Sequence, residues 1–277
     1  MRHPAQRVNI KYFLLLTFLV LSFYPLAGCG SRSAGDRYKE AEDYLGRGEF
    51  NEALDRYDFI ANNFQTTPYA SKSWYRIAYI YGNFLGEERK AINVYYTLIS
   101  VYPESAEAFS ARRDLAGIYS RAGDYTKAVE QYQWLLDNVK DPVEQENYRY
   151  IIAEEYFKMN DFMQARAEIN ELLETAMSEN IRARAYFLRA NTYYLEGDAR
   201  MAIRSFEDTI STFPDHDIAV EARFNLAKAL EEADRLKEAL AVLETLKDEY
   251  PSPEAVTASI EWIKKRMRAK KSRRRRR

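Results

Sequence analysis

The chain has 277 residues, 47% of them hydrophobic and 30% charged, with 10 Gly and 8 Pro, a composition that favours helices joined by short turns in one elongated domain or two compact ones. A single cysteine, Cys29, and two histidines, His3 and His216, exclude an internal disulfide and a Cys/His zinc site. The formal net charge of -1 conceals an asymmetry: all 42 acidic residues lie between Cys29 and Ile263, giving that body a net charge of about -15, whereas Lys264 to Arg277 carries eleven Lys or Arg and no acid.

Arg2, Arg7 and Lys11 precede an apolar run from Tyr12 to Leu21, broken only by Thr17. This is the layout of a secretory signal, and the run is shorter than the roughly 20 apolar residues of a membrane-spanning helix. Leu26-Ala27-Gly28-Cys29 follows and resembles the lipobox of bacterial lipoproteins. That resemblance implies cleavage after residue 28 and acylation of Cys29, with residues 29–35 as a lipidated linker. An ordinary signal peptide with a chance cysteine is the competing reading. Two or more acyl chains make a stable anchor, so the expected location is the envelope. Gly30, where enteric inner-membrane lipoproteins carry aspartate, points to the outer membrane, facing the periplasm.

From residue 36 to 252 a pattern of about 37 residues recurs six times. Its second alanine is Ala53, Ala91, Ala128, Ala165, Ala202 and Ala239; twelve residues earlier, thirteen in the second repeat, stands Ala41, Ala78, Ala116, Ala153, Ala190 or Ala227. Two small residues per repeat predict a helix hairpin whose members cross closely. Five residues before each second alanine lies Gly48, Gly86, Gly123, Asn160, Gly197 or Asp234, the residue types that tolerate a left-handed turn. Asp124, Asp161 and Asp198 follow in position to cap the next helix. The extra residue of the second repeat is assigned to the turn between its helices. An apolar residue four after the second alanine (Tyr57, Tyr95, Tyr132, Ile169, Phe206, Leu243) continues each second helix. Tyr102-Pro103, Phe213-Pro214 and Tyr250-Pro251 are read as stops.

Val256, Ile260, Ile263 and Met267 form one stripe, predicting a helix over 253–268 that caps the stack, followed by a disordered basic tail at 269–277. The tail is expected to contact anionic lipid, an acidic protein surface or the acidic stack itself, and not nucleic acid.

The spacing of small residues, glycine, aromatic and alanine is similar to tetratricopeptide repeats. The resemblance implies an all-α, right-handed superhelical solenoid of six helix hairpins. A lipobox followed by such repeats, with Gly48-x-Phe50-x-x-Ala53 and Pro68-Tyr69, also resembles the BamD (YfiO, ComL) lipoproteins of the barrel assembly machinery. In tetratricopeptide proteins the first helix of each pair lines a protein-binding groove. Carried to this chain, the positions three before and one after the first alanine make Tyr38, Tyr75, Tyr79, Arg113, Tyr150, Phe187, Asn191 and Phe224 the candidate partner-binding residues. The competing explanation of these rings is packing against the next repeat.

No phosphate loop, dinucleotide fingerprint or histidine-based metal motif occurs. His216, between Asp215 and Asp217, reads as a turn residue and not as a base. The expectation is a scaffold without catalytic residues, metal or cofactor, binding envelope proteins or peptides in outer-membrane protein assembly. Alternatives are a Tol-Pal-associated YbgF-like or peptidoglycan-associated protein, and a regulatory partner of a glycan synthase or hydrolase.

Overall fold

A computed structural model describes residues 33–275. The leader and Cys29 lie outside the described residues, as do Arg276 and Arg277. Thirteen helices occupy the described residues, with two compact units, Met1–Val94 and Tyr95–Arg277.

The six expected hairpins are present: α1 (Ala34–Gly46) with α2 (Phe50–Asn63), α3 (Pro68–Asn83) with α4 (Glu88–Val101), and α5 (Ala106–Arg121) with α6 (Tyr125–Asn138). They continue as α7 (Pro142–Lys158) with α8 (Phe162–Thr175), α9 (Glu179–Glu196) with α10 (Ala199–Thr212), and α11 (Ile218–Glu232) with α12 (Leu236–Thr245). α13 spans Pro253–Arg275. All twelve repeat alanines are at most 1% exposed, so the two helices of each hairpin meet at a methyl group on either side. The six apolar residues one turn further along the second helices are buried as well.

All six turn positions adopt positive φ, including the two that are not glycine, Asn160 at 60° and Asp234 at 62°. In each of those two turns the following backbone N–H returns to a helix carbonyl, Asp161 to Tyr156 and Arg235 to Leu230, which ends the first helix cleanly. The carboxylates of Asp124, Asp161 and Asp198 accept from the N–H groups of Lys127, Gln164 and Met201, capping α6, α8 and α10. The turn between α3 and α4 is one residue longer than those of the first and third hairpins and holds Gly86, which accounts for the 38-residue step.

Three boundaries differ from expectation. α1 starts at Ala34, inside the expected linker, because Ser33 and Asp36 form a reciprocal capping box that satisfies the first N–H groups. α12 stops at Thr245, before Tyr250-Pro251, because Leu246 turns inward with no exposed surface and its N–H bonds to Leu243 in a tight turn. α13 continues to Arg275, through most of the segment 269–277 expected to be a disordered tail. Past Pro253 the chain holds no glycine or proline, and Arg266 and Lys270 tie it to Glu231 and Asp234.

In the first unit, Ala41, Ala53, Tyr57, Ala61, Ile77 and Ile80 form the core. The largest cluster of the second unit runs from Ala190 through α10, α11 and α12 to Val256, Ile260 and Ile263, with Met267 packed partly against it. The apolar stripe of α13 thus covers the last hairpin as expected.

Candidate protein-binding site

In the first unit the candidate residues gather around a polar knot. Tyr38 of α1 is half-buried, its ring 5.5 Å from Tyr57 and 5.4 Å from Tyr69. Beside it Glu42 accepts from the Tyr57 hydroxyl at 2.6 Å and receives a two-pronged pair from Arg76, Nε at 2.8 Å and Nη2 at 3.0 Å. Arg76 Nε also lies 3.4 Å from the Tyr38 oxygen. A fork of this kind fixes the guanidinium plane, so the knot orients Tyr38 and Arg76 as one rigid group. Burial pushes the Tyr38 phenol up to about 12, against a lowering contribution from Arg76. Tyr57 shifts upward for the same first reason, reinforced by the Glu42 carboxylate. One turn along α3, Tyr75 and Tyr79 lie with ring centroids 6.5 Å apart, and Tyr79 meets the exposed Phe84 edge-on at 5.7 Å. Both tyrosines remain partly exposed.

In the second unit the same register divides into two kinds of residue. Arg113 on α5 is exposed; Phe187 and Asn191 on α9 are partly exposed. Tyr150 is only 5% exposed and Phe224 only 7%. Tyr150 packs among Ala153, Ile169 and Leu188, donates to Glu154 at 2.8 Å and is covered by the Arg184 guanidinium at 4.3 Å. Burial first, then the Glu154 carboxylate, holds its phenol well above the ordinary tyrosine range. Phe224 stacks on Tyr250 at 4.4 Å, with the Lys228 ammonium 4.6 Å from its ring centroid. These two rings are core residues: following residues lie over them, which corrects their assignment to an open face. Asn191 Nδ2 donates to the Phe187 carbonyl while its Oδ1 accepts from Asn225 of α11 at 3.1 Å.

The Glu42–Arg76 and Asn191–Asn225 pairs occupy one register, the residue after the first alanine meeting the residue two before the next first alanine. Neither Arg76 nor Asn225 stood out in the sequence, because the six equivalent positions carry unlike side chains. His216 is also placed: its Nδ1 accepts from the Ile218 N–H at 3.1 Å, so its imidazole caps the entry to α11. Among the described residues no group of three or more His, Cys, Asp or Glu is arranged to hold a metal ion. In the first unit the first helices offer the Tyr75 and Tyr79 rings beside the fixed Arg76 guanidinium; in the second they offer Arg113, Phe187 and the Asn191 amide.

Two tetratricopeptide-repeat family models match the chain, over residues 72–105 and 193–259. Over those residues the chain carries tetratricopeptide repeats. Among solved structures, a tetratricopeptide repeat protein from Parabacteroides merdae is 18% identical, with a TM-score of 0.57 over 86% of this chain and 88% of that one. The C-terminal part of a TPR repeat-containing protein from Cytophaga hutchinsonii is 14% identical, with a TM-score of 0.65 over 91% of this chain and 94% of that one. The apo form of RapI reaches 0.60 at 11% identity, over 85% of this chain and 72% of that one. At these identities the likeness establishes the all-α tetratricopeptide-like fold. No curated protein matches in sequence. Tetratricopeptide folds bind protein partners.

Proposed function

We propose that this chain is a lipid-anchored protein-binding scaffold of the bacterial cell envelope, held through Cys29 at the periplasmic side of the outer membrane and serving outer-membrane protein assembly. The observation that carries the reading is the pairing of Leu26-Ala27-Gly28-Cys29 with repeats whose first helices keep Tyr75, Tyr79, Arg113, Phe187 and Asn191 at least partly open. Tyrosine and arginine concentrate binding energy in protein interfaces, since each combines a large apolar area with directed polar atoms. Tyr38 serves with them, held by Arg76 and Glu42. Tyr150 and Phe224 support the face from beneath. The resemblance to the BamD lipoproteins, with Gly30 after the lipid site, supplies the pathway and the membrane.

Two measurements test the two halves. The wild-type chain incorporates labelled palmitate and Cys29→Ser does not; a wild-type chain that takes up none and fractionates away from membranes removes the anchor. Crosslinking in intact cells yields components that insert barrel proteins; recovery of Tol-Pal components or glycan enzymes in their place moves the scaffold to another pathway.

A further inference from the structure

Met267 is the last apolar side chain before the terminal cations, apart from the small Ala269, and its contact with the last hairpin marks where α13 leaves the core. Three cations near that point are held by the acidic body: Arg266 by Glu231 at 2.7 Å, Lys264 by Glu244 at 3.5 Å, and Lys270 by Asp234. Lys265, Arg268 and Lys271 are exposed, and five arginines follow to the end of the sequence. Residues 268–275 extend the helix by about 12 Å, more than the roughly 8 Å over which charges are screened at physiological ionic strength. The field of the acidic body, about -15 in net charge, therefore fades along this extension and leaves its positive charge open to an outside anion.

We propose that the end of α13 is an electrostatic foot that docks on anionic phospholipid headgroups. Lys265, Arg268 and Lys271 follow one another at three-residue steps, so at about 100° per residue they share one side of the helix, and no apolar side chain lies between them. A row of exposed cations without an apolar anchor suits a laterally mobile sheet of phosphates, which can gather under it, better than a shaped protein pocket. Polybasic segments next to a membrane bind anionic lipid in this additive way. The choice of lipid over nucleic acid rests on the envelope location proposed above. Trp262, 53% exposed and fixed by its indole N–H to Glu231 at 2.7 Å, stands at the base of the foot as an optical reporter.

The test uses the chain of residues 29–277 carrying Cys29→Ser, so that neither the basic and apolar leader nor lipidation plays a part and the anchor can fail without touching this result. It is sedimented with phosphatidylcholine vesicles and with vesicles containing phosphatidylglycerol as about a third of the lipid. The expected result is a preference for the anionic vesicles that weakens with added salt and falls at least tenfold when Lys265, Arg268, Lys271 and the five terminal arginines become Gln, at unchanged melting temperature. A preference that survives in this variant, a wild-type chain with no preference, or tighter binding to RNA than to the anionic vesicles overturns the proposal. Should the Gln variant melt early, truncation after Arg268 replaces it, with the same expected loss.

Discussion

Replacing Ala153 by Leu asks whether the repeat alanines set the distance between helices. Ala153 has no exposed surface and packs in one cluster with Tyr150, Ile169, Leu172 and Ala185, none of them more than 5% exposed. A leucine side chain brings three more carbons, which would be worth about 2.4 kcal/mol of burial at ~0.8 kcal/mol each if space existed. A close-packed crossing offers no such space, so the added volume must push α7 from α8 or force strained rotamers, a net loss of about 1 to 3 kcal/mol. For a unit of this size each kcal/mol moves the midpoint by roughly 2 to 4 °C, so the variant should melt about 2 to 12 °C early by circular dichroism at the helical band. Gln164→Leu, one residue from Ala165 but exposed, adds the same chemistry outside the crossing and should stay within about 0.5 kcal/mol of wild type. An Ala153→Leu protein that melts with the wild type, or later, refutes the close crossing.

The turn at Asn160 gives a backbone test: Asn160→Gly should cost nothing, while Asn160→Val, β-branched at a φ of 60°, should lose about 1 to 2 kcal/mol in chemical denaturation. Equal stability of the two variants would show that the left-handed turn is not maintained. Burial holds the Tyr38 phenol at about 12 against the ordinary 10.0, so the unfolded chain gives up this proton first as pH rises. The associated stability is complete below pH 10 and is lost as pH climbs toward 12, and Tyr38→Phe should flatten that alkaline decline in melting temperature. An unchanged slope would place the Tyr38 hydroxyl in water. Arg76→Lys keeps the charge but breaks the two-pronged contact with Glu42, and should loosen partner capture more than it lowers the melting point. The reverse order of effects would make the knot purely structural.

Most of the fold was legible because it is written six times. A methyl group at each crossing, a residue tolerant of positive φ at each turn and an aspartate in three caps are local requirements, and each residue type answers a single demand of the backbone. What the repeat could not convey was how each first-helix position is finished by its neighbours. Arg113 and Tyr150 occupy the same register, yet one is exposed while the other is roofed by Arg184. Phe224 is covered by Tyr250, which reaches it because α12 stops at Thr245 and Leu246 turns inward. The Glu42–Arg76–Tyr57 knot joins α1, α2 and α3 through residues 15 and 34 apart, and no other repeat carries it. The length of α13 was missed because a run of Lys and Arg reads as a solvated tail, whereas pairing with Glu231 and Asp234 carries it forward as helix.

The central claim is that partners dock on the first-helix faces. A photo-crosslinking side chain placed singly at Tyr79, Arg113 or Asn191, and as a control at Met163, a second-helix residue 70% exposed, tests it in intact cells. The account predicts discrete adducts with a common partner from the first-helix positions and none from Met163. Adducts from Met163 alone, or a pattern indifferent to position, would contradict it.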